Sequence, residues 1–266
     1  MKLFTSNSPH PTPMTFWEHL DVLRTYIIRI ILVWVVCSIV AFFFKDEIFF
    51  VVMAPKDSGF ITYQWLEALS WKLGGSGLDD FSVQLINTGL TRQFLLHVKA
   101  SFFVGLLVSM PFAIWQVLLF VIPALYANER RILYQGVLSG SLMFVVGLLF
   151  SYFIVFPLTF RFLGTYQVSA ELQNLISVES YIGTLLSLSL SIALVFEIPV
   201  VCWLLARGGI LTASMMSRYR KHAIVLILVL AAIITPTQDV FTLLIVSLPM
   251  WLLFELSILI VRTTRR

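Results

Sequence analysis

Two long apolar runs, residues 102–122 and 132–156, flank one short polar connector. Runs of this kind constrain a chain more than any other feature. In lipid every backbone N–H and C=O must be satisfied internally, so each run has to be a helix. Further apolar runs occupy residues 26–44, 181–206, 223–234 and 240–261. The first covers about 28 Å at 1.5 Å per residue, close to the hydrocarbon thickness. Composition agrees: charged residues make up only 12% of the 266, against roughly a quarter in a soluble domain. The expected fold is an all-α integral membrane protein of six transmembrane helices in one polytopic domain, residues 1–266.

Basic residues orient it. With both termini inside, the inner segments hold twelve of the eighteen Lys and Arg, among them Arg24, Arg130, Arg131, Arg207, Arg220 and Arg262. The six others lie in outer segments with an excess of acid. The positive-inside rule then favours N-in, C-in. Residues 1–15 read as a flexible tail, and 16–25 as a short amphipathic helix entering the membrane from the cytoplasmic side. Residues 45–100 form a long outer loop whose aromatics, Phe60, Tyr63, Trp65 and Trp71, suit a cap on the membrane surface. Spans are expected near 26–44, 100–122, 132–156, 181–206, 223–235 and 240–261. The fifth is short, so the last two read as a hairpin whose turn lies shallow in the membrane. Gly136 and Gly140, four apart, would let a neighbouring helix approach closely.

Several function classes are disfavoured. No continuous basic face with interleaved aromatics suggests nucleic acid. Cys37 and Cys202 both fall in apolar runs and read as buried thiols. The histidines lack metal-ligand spacing, and no metal or cofactor is expected. His-Glu-x-x-His, Gly-x-Ser-x-Gly and P-loop motifs are missing, so an enzyme is not expected. Ser139, between Gly136 and Gly140, reads as packing.

The polar residues that remain are few. In the connector, Pro123 should stop one helix, while Asn128 can cap the next and Glu129 occupies its first turn. Read from spacing, this is complete as a capped helix start. Glu197 lies inside the fourth span, where an ionisable side chain is costly and is a functional candidate by default. A hydrogen-bonded packing Glu is the alternative. Ser189 and Ala193 precede it at four-residue steps, so it should face other helices or a wet cavity. Glu255 reads as an inner-interface residue with Arg262 in reach. Asp239, after Thr235 and Pro236, reads either as a polar turn or as functional. On the amino-terminal helix, Glu18 and Asp21 share one face, as do Asp21 and Arg24.

Together these residues resemble one family. Phe120, Pro123-Ala124-Leu125-Tyr126 and Glu129-Arg130 closely resemble the connector of the TatC family, the receptor subunits of twin-arginine protein translocases. His19-Leu20-Asp21 through Arg24 resembles its amino-terminal motif, and Phe196-Glu197 with Pro199 its fourth-span motif. Thr235-Pro236, Asp239, Pro249 and Phe254-Glu255 resemble its final hairpin. Two positions depart from the pattern: Val22 stands where the family usually has Glu, and Leu243 where many members have Gln.

The resemblance implies a receptor that binds paired arginines of signal peptides at the cytoplasmic face. Glu129, Phe120, Glu18, Asp21, Arg24, Leu20, Pro123 and Tyr126 are then the binding residues, and Glu197 an intramembrane polar site. Thr235, Pro236, Asp239 and Glu255 belong to the hairpin or to partner contacts. Implied partners are folded cargo, TatA- and TatB-like single-span subunits, the bilayer and further copies of the chain. Transport would use the proton-motive force across a bacterial cytoplasmic (inner) membrane, or an organellar one. From the residues alone, a proton- or ion-coupled solute transporter using Glu197 is the alternative.

Overall fold

A computed structural model of the chain describes residues 16–72, 83–87, 89–125, 130–166, 175–235 and 239–264. Tyr126, Asn128, Glu129, Pro236 and the amino-terminal tail lie outside these residues, as do the side chains of Glu18, His19 and Pro123. The fold is helical, as the apolar runs require. Five segments are long and apolar enough to cross a membrane: Leu20–Phe42, Arg92–Val121, Arg131–Thr165, Val178–Arg207 and Val240–Thr264. A sixth helix, Arg220–Ile234, has 15 residues and reaches about 22 Å.

The first helix, α1 (Phe16–Phe42), merges the expected amino-terminal helix with the first span. Nothing in its sequence breaks it, since it contains neither Gly nor Pro. Outside the membrane follow α2 (Lys45–Met53), a 3-10 turn (Ala54–Lys56) and α3 (Ile61–Lys72). Strand β1 (Leu85–Ile86) then pairs in parallel with β2 (Ile176–Ser177) of the second outer segment. This link was not anticipated. Two residues per strand are too few for any periodicity to announce.

Helix α4 (Arg92–Leu125) begins eight residues before the expected span and continues two past Pro123. The expected stop at Pro123 is therefore corrected. A proline in a final turn removes one intrahelical bond, and the helix end absorbs that loss. The third span is α5 (Arg130–Phe150), a π-helical turn (Ser151–Val155) and α6 (Phe156–Thr165). It too runs on past its expected end. Pro157 has no N–H for the carbonyl of Phe153, four residues back. The Thr62 hydroxyl of α3 donates to that carbonyl instead.

The fourth span divides into α7 (Val178–Val195) and α8 (Ile198–Arg207). Pro199 stands in the first turn of α8, where its missing donor is tolerated. Short α9 (Ala213–Arg218), α10 (Arg220–Ile234) and α11 (Val240–Thr264) complete the chain. The core centres on α7, with Tyr181, Ile182, Leu188 and Ile192 packed against Val155 and Phe156.

Candidate functional site

The inner end of α1 is positioned by how α1 lies on α4, its main neighbour. The Trp34 indole donates to the Phe102 carbonyl at 2.9 Å, and the two rings meet edge to face at 5.9 Å. One turn on, Gly105 lets the helices close up. A methyl group there would lie 2.5 Å from both the Cα and the backbone N of Ser38. At the outer end the His97 ring stacks on Phe42 at 4.0 Å and its Nε2 lies 3.0 Å from the Phe42 carbonyl oxygen. At the inner end Tyr26 meets Phe120 edge to face at 6.1 Å. The Arg29 guanidinium lies over the Tyr26 ring, 5.7 Å from its centre.

Phe120 therefore couples the last turns of α4 to α1, just below the connector. Beyond Tyr26 the first turns of α1 carry an exposed Leu20, Asp21 and Arg24. Among the described residues neither Asp21 nor Arg24 makes an ion pair, although the two share a helix face. Both charges are turned to solvent.

Glu197 occupies the break between α7 and α8. Its N–H donates to the Leu194 carbonyl at 3.1 Å, and its carbonyl accepts from Val200 and Val201, each at 3.0 Å. The carboxylate lies against α4 and α5. A methyl at Gly140 would be 3.1 Å from Glu197 Oε2 and 3.1 Å from Ile114 Cγ2. Glycine there lets α5 pass the carboxylate closely; a methyl would make both side chains give by a few tenths of an ångström. Glu197 Oε1 is buried with no hydrogen-bond partner, and so are Gln116 Oε1 and Ser141 Oγ on the same two neighbouring helices. Ala193 and Ser189 are buried one and two turns before it.

The hairpin residues have local roles. The Thr235 hydroxyl donates to the Ala231 carbonyl at 3.0 Å and ends α10. Asp239 Oδ1 accepts the Thr242 N–H at 2.7 Å and caps α11. Glu255 pairs with Arg220 at 2.8 Å rather than with the expected Arg262. Arg262 is seven residues along the same helix, about 10 Å away along its axis, whereas Arg220 opens the antiparallel neighbour.

Sequence reasoning missed Tyr26, Trp34 and Gly105. The available signal was a lone glycine and two polar-tipped aromatics in otherwise aliphatic runs.

Comparison with known proteins places these features in context. The family profile described as Sec-independent protein translocase protein (TatC) matches residues 18–249. The Sec-independent protein translocase protein TatC of Aquifex aeolicus is 32% identical over 256 residues, covering 95% of this chain and 97% of that one. That of Helicobacter pylori (strain ATCC 700392 / 26695) is 40% identical over 178 residues, 67% of this chain and 70% of its own. A crystal structure of the twin arginine translocase receptor TatC superposes with a TM-score of 0.76 at 32% identity. It covers 94% of this chain and 100% of that one.

Proposed function

This chain belongs to the TatC family of Sec-independent protein translocase proteins, and from that premise we propose how it works as the receptor of a twin-arginine translocase. It is a multi-pass protein of the bacterial inner membrane, and its helices are those of a translocase receptor. Its task is to hold the paired arginines of a signal peptide at the cytoplasmic face. Folded cargo then crosses at the expense of the proton-motive force, with TatA- and TatB-like single-span subunits and further copies of the chain in the complex.

The recognition chemistry is carboxylate on guanidinium. Arginine offers a planar fork of donors that a carboxylate accepts bidentately, and two guanidinium groups cannot share one carboxylate in this way. Glu129 supplies the first carboxylate and the start of α1 the second, through Glu18 or Asp21. Val22 cannot contribute. Phe120, with Pro123 and Tyr126, helps hold the connector in shape, and Leu20 and Arg24 flank the peptide. The observation that supports this best is the exposed Asp21, without an ion pair among the described residues, on a helix that meets α4 at the Tyr26–Phe120 contact. Glu197 acts later, as a polar site inside the membrane on which transport depends.

A pull-down tests the receptor reading. Detergent-solubilised protein should retain a reporter with a twin-arginine signal and release its Lys-Lys counterpart. Equal retention of both would overturn it. The solute-transporter reading is not favoured, since the family transports proteins. It would return only if liposomes holding the chain alone took up a small solute in step with protons.

A further inference from the structure

The inner half of the bundle contains a cleft that none of these roles uses. It encloses about 500 Å³ and is walled by α5 (Gln135, Ser139, Met143), α8 (Pro199, Trp203) and α11 (Ile260). All three walls run toward the cytoplasmic side, because α5 starts at Arg130, α8 ends at Arg207 and α11 ends at Thr264. The cleft opens sideways into the bilayer past Leu142, which is 61% exposed. Its lining is apolar in effect: the Ser139 hydroxyl is turned back on the Gln135 carbonyl at 2.7 Å.

Two arginines stand at its inner mouth. Arg207 is one turn beyond Trp203, with its guanidinium 5.0 Å above the indole ring. Arg131 is four residues before Gln135 and shares its helix face. Both are exposed, and among the described residues neither makes an ion pair. Arg262 differs. It is two residues past Ile260, about 200° round α11 and away from the cleft.

We propose that this cleft seats an anionic diacyl phospholipid of the inner leaflet, its phosphodiester between Arg131 and Arg207 and one acyl chain between α5, α8 and α11. The charge is complementary, because guanidinium groups bind phosphate oxygens in bidentate geometry. Basic pockets between helices on the cytoplasmic side are where anionic headgroups bind. The depth fits as well. From Gln135 to Met143 the wall is about 12 Å long, most of the roughly 15 Å of hydrocarbon in one leaflet. A partner helix about 10 Å across would need roughly 900 Å³ over that length, so it would lie across the mouth rather than enter. The proposal is independent of the signal-peptide assignment and uses only the orientation in the membrane.

Native mass spectrometry of the purified full chain tests it, with dioleoyl phosphatidylglycerol offered against dioleoyl phosphatidylcholine. The wild type should retain phosphatidylglycerol preferentially. The R131Q/R207Q double variant should bind it roughly twenty-five-fold more weakly, the product of about fivefold per arginine near an anionic headgroup. R262Q should bind as the wild type does, because its side chain points away. Leu142→Trp, which fills the mouth from an exposed position, should lower retention of both lipids. Undiminished binding by R131Q/R207Q would overturn the proposal, and so would an equal loss in R262Q, which would reduce the effect to bulk charge. A benzophenone side chain at residue 142 in native membranes identifies the occupant. Adducts with phospholipid support the proposal, and adducts with a single-span protein overturn it.

Discussion

Gly105→Ala should loosen α1 from α4 and, through it, weaken signal-peptide capture more than 20 Å away. The added methyl would lie 2.5 Å from the Ser38 Cα and backbone N, whereas carbon contacts are comfortable at about 3.5 Å or more. The obstacle is backbone, so no rotamer change relieves it, and the helices must part by about 1 Å. Such overpacking costs about 1–3 kcal/mol. The Trp34 indole bond to the Phe102 carbonyl, now 2.9 Å, would stretch beyond hydrogen-bonding range and add about 1 kcal/mol. Little opposes the movement, since only 11% of the α1 span is buried in the protein. The expected result is a lower thermal midpoint in detergent together with weaker photo-crosslinking of a twin-arginine peptide from residue 20. Ser38→Gly should not rescue Gly105→Ala, because the nearest backbone atoms remain. Wild-type stability and crosslinking in Gly105→Ala would refute the close approach. Rescue by Ser38→Gly would show that only the hydroxymethyl group is in the way.

Glu197→Gln should leave the protein folded yet lower export of a reporter, whereas full transport by Glu197→Ala would make it a packing residue. Asp239→Ala should cost about 1 kcal/mol through loss of the α11 cap, read as a lower thermal midpoint, and Asp239→Asn should recover most of it. Glu129→Gln should abolish crosslinking of a twin-arginine peptide, since losing one desolvated partner of a charged pair costs about 2–5 kcal/mol. Glu18→Gln should weaken crosslinking more than Asp21→Asn if position one turn before Val22 decides. Normal binding by the double variant would remove α1 from the site.

What was legible in the sequence is what a single span must satisfy by itself. Each long apolar run became a helix, and the Leu-Ser alternation at 186–191 is helix α7, because lipid offers a lone strand no partners. The errors arose where a second segment supplies the missing partner. The third span was expected to end at 156, just before Pro157, but the carbonyl that this proline frees at Phe153 takes the Thr62 hydroxyl, ninety-one residues away in sequence. Glu255 was assigned its same-helix neighbour, yet it pairs with Arg220, thirty-five residues earlier. Gly140 was recognised as an approach site, but its sequence could not say that the approaching group is the Glu197 carboxylate. The intramembrane acid was visible, and the helices that enclose it were not.

The two faces of the membrane are held differently, and this bears on how a receptor works. Outside, phenols anchor the cap to the core: Tyr152 donates to the Val51 carbonyl at 2.6 Å, Tyr181 to Val52 at 3.0 Å and Tyr63 to Pro157 at 3.3 Å. Burial pushes the Tyr63 phenol well above the ordinary tyrosine range, against a smaller opposing pull from Arg161. It therefore stays a donor at physiological pH, and its contribution is lost only as pH rises past the range where an unfolded tyrosine ionises. Inside, the Tyr26–Phe120 contact joins α1 to α4, and Asp21 and Arg24 beyond it are exposed. Among the described residues, no ion pair of Asp21 or Arg24 stands in the way of a new charged partner. The same contact ties the amino-terminal turns to the end of α4. The α4 helix tied in this way also carries Ile114, which together with the Glu197 carboxylate closes on Gly140 of α5.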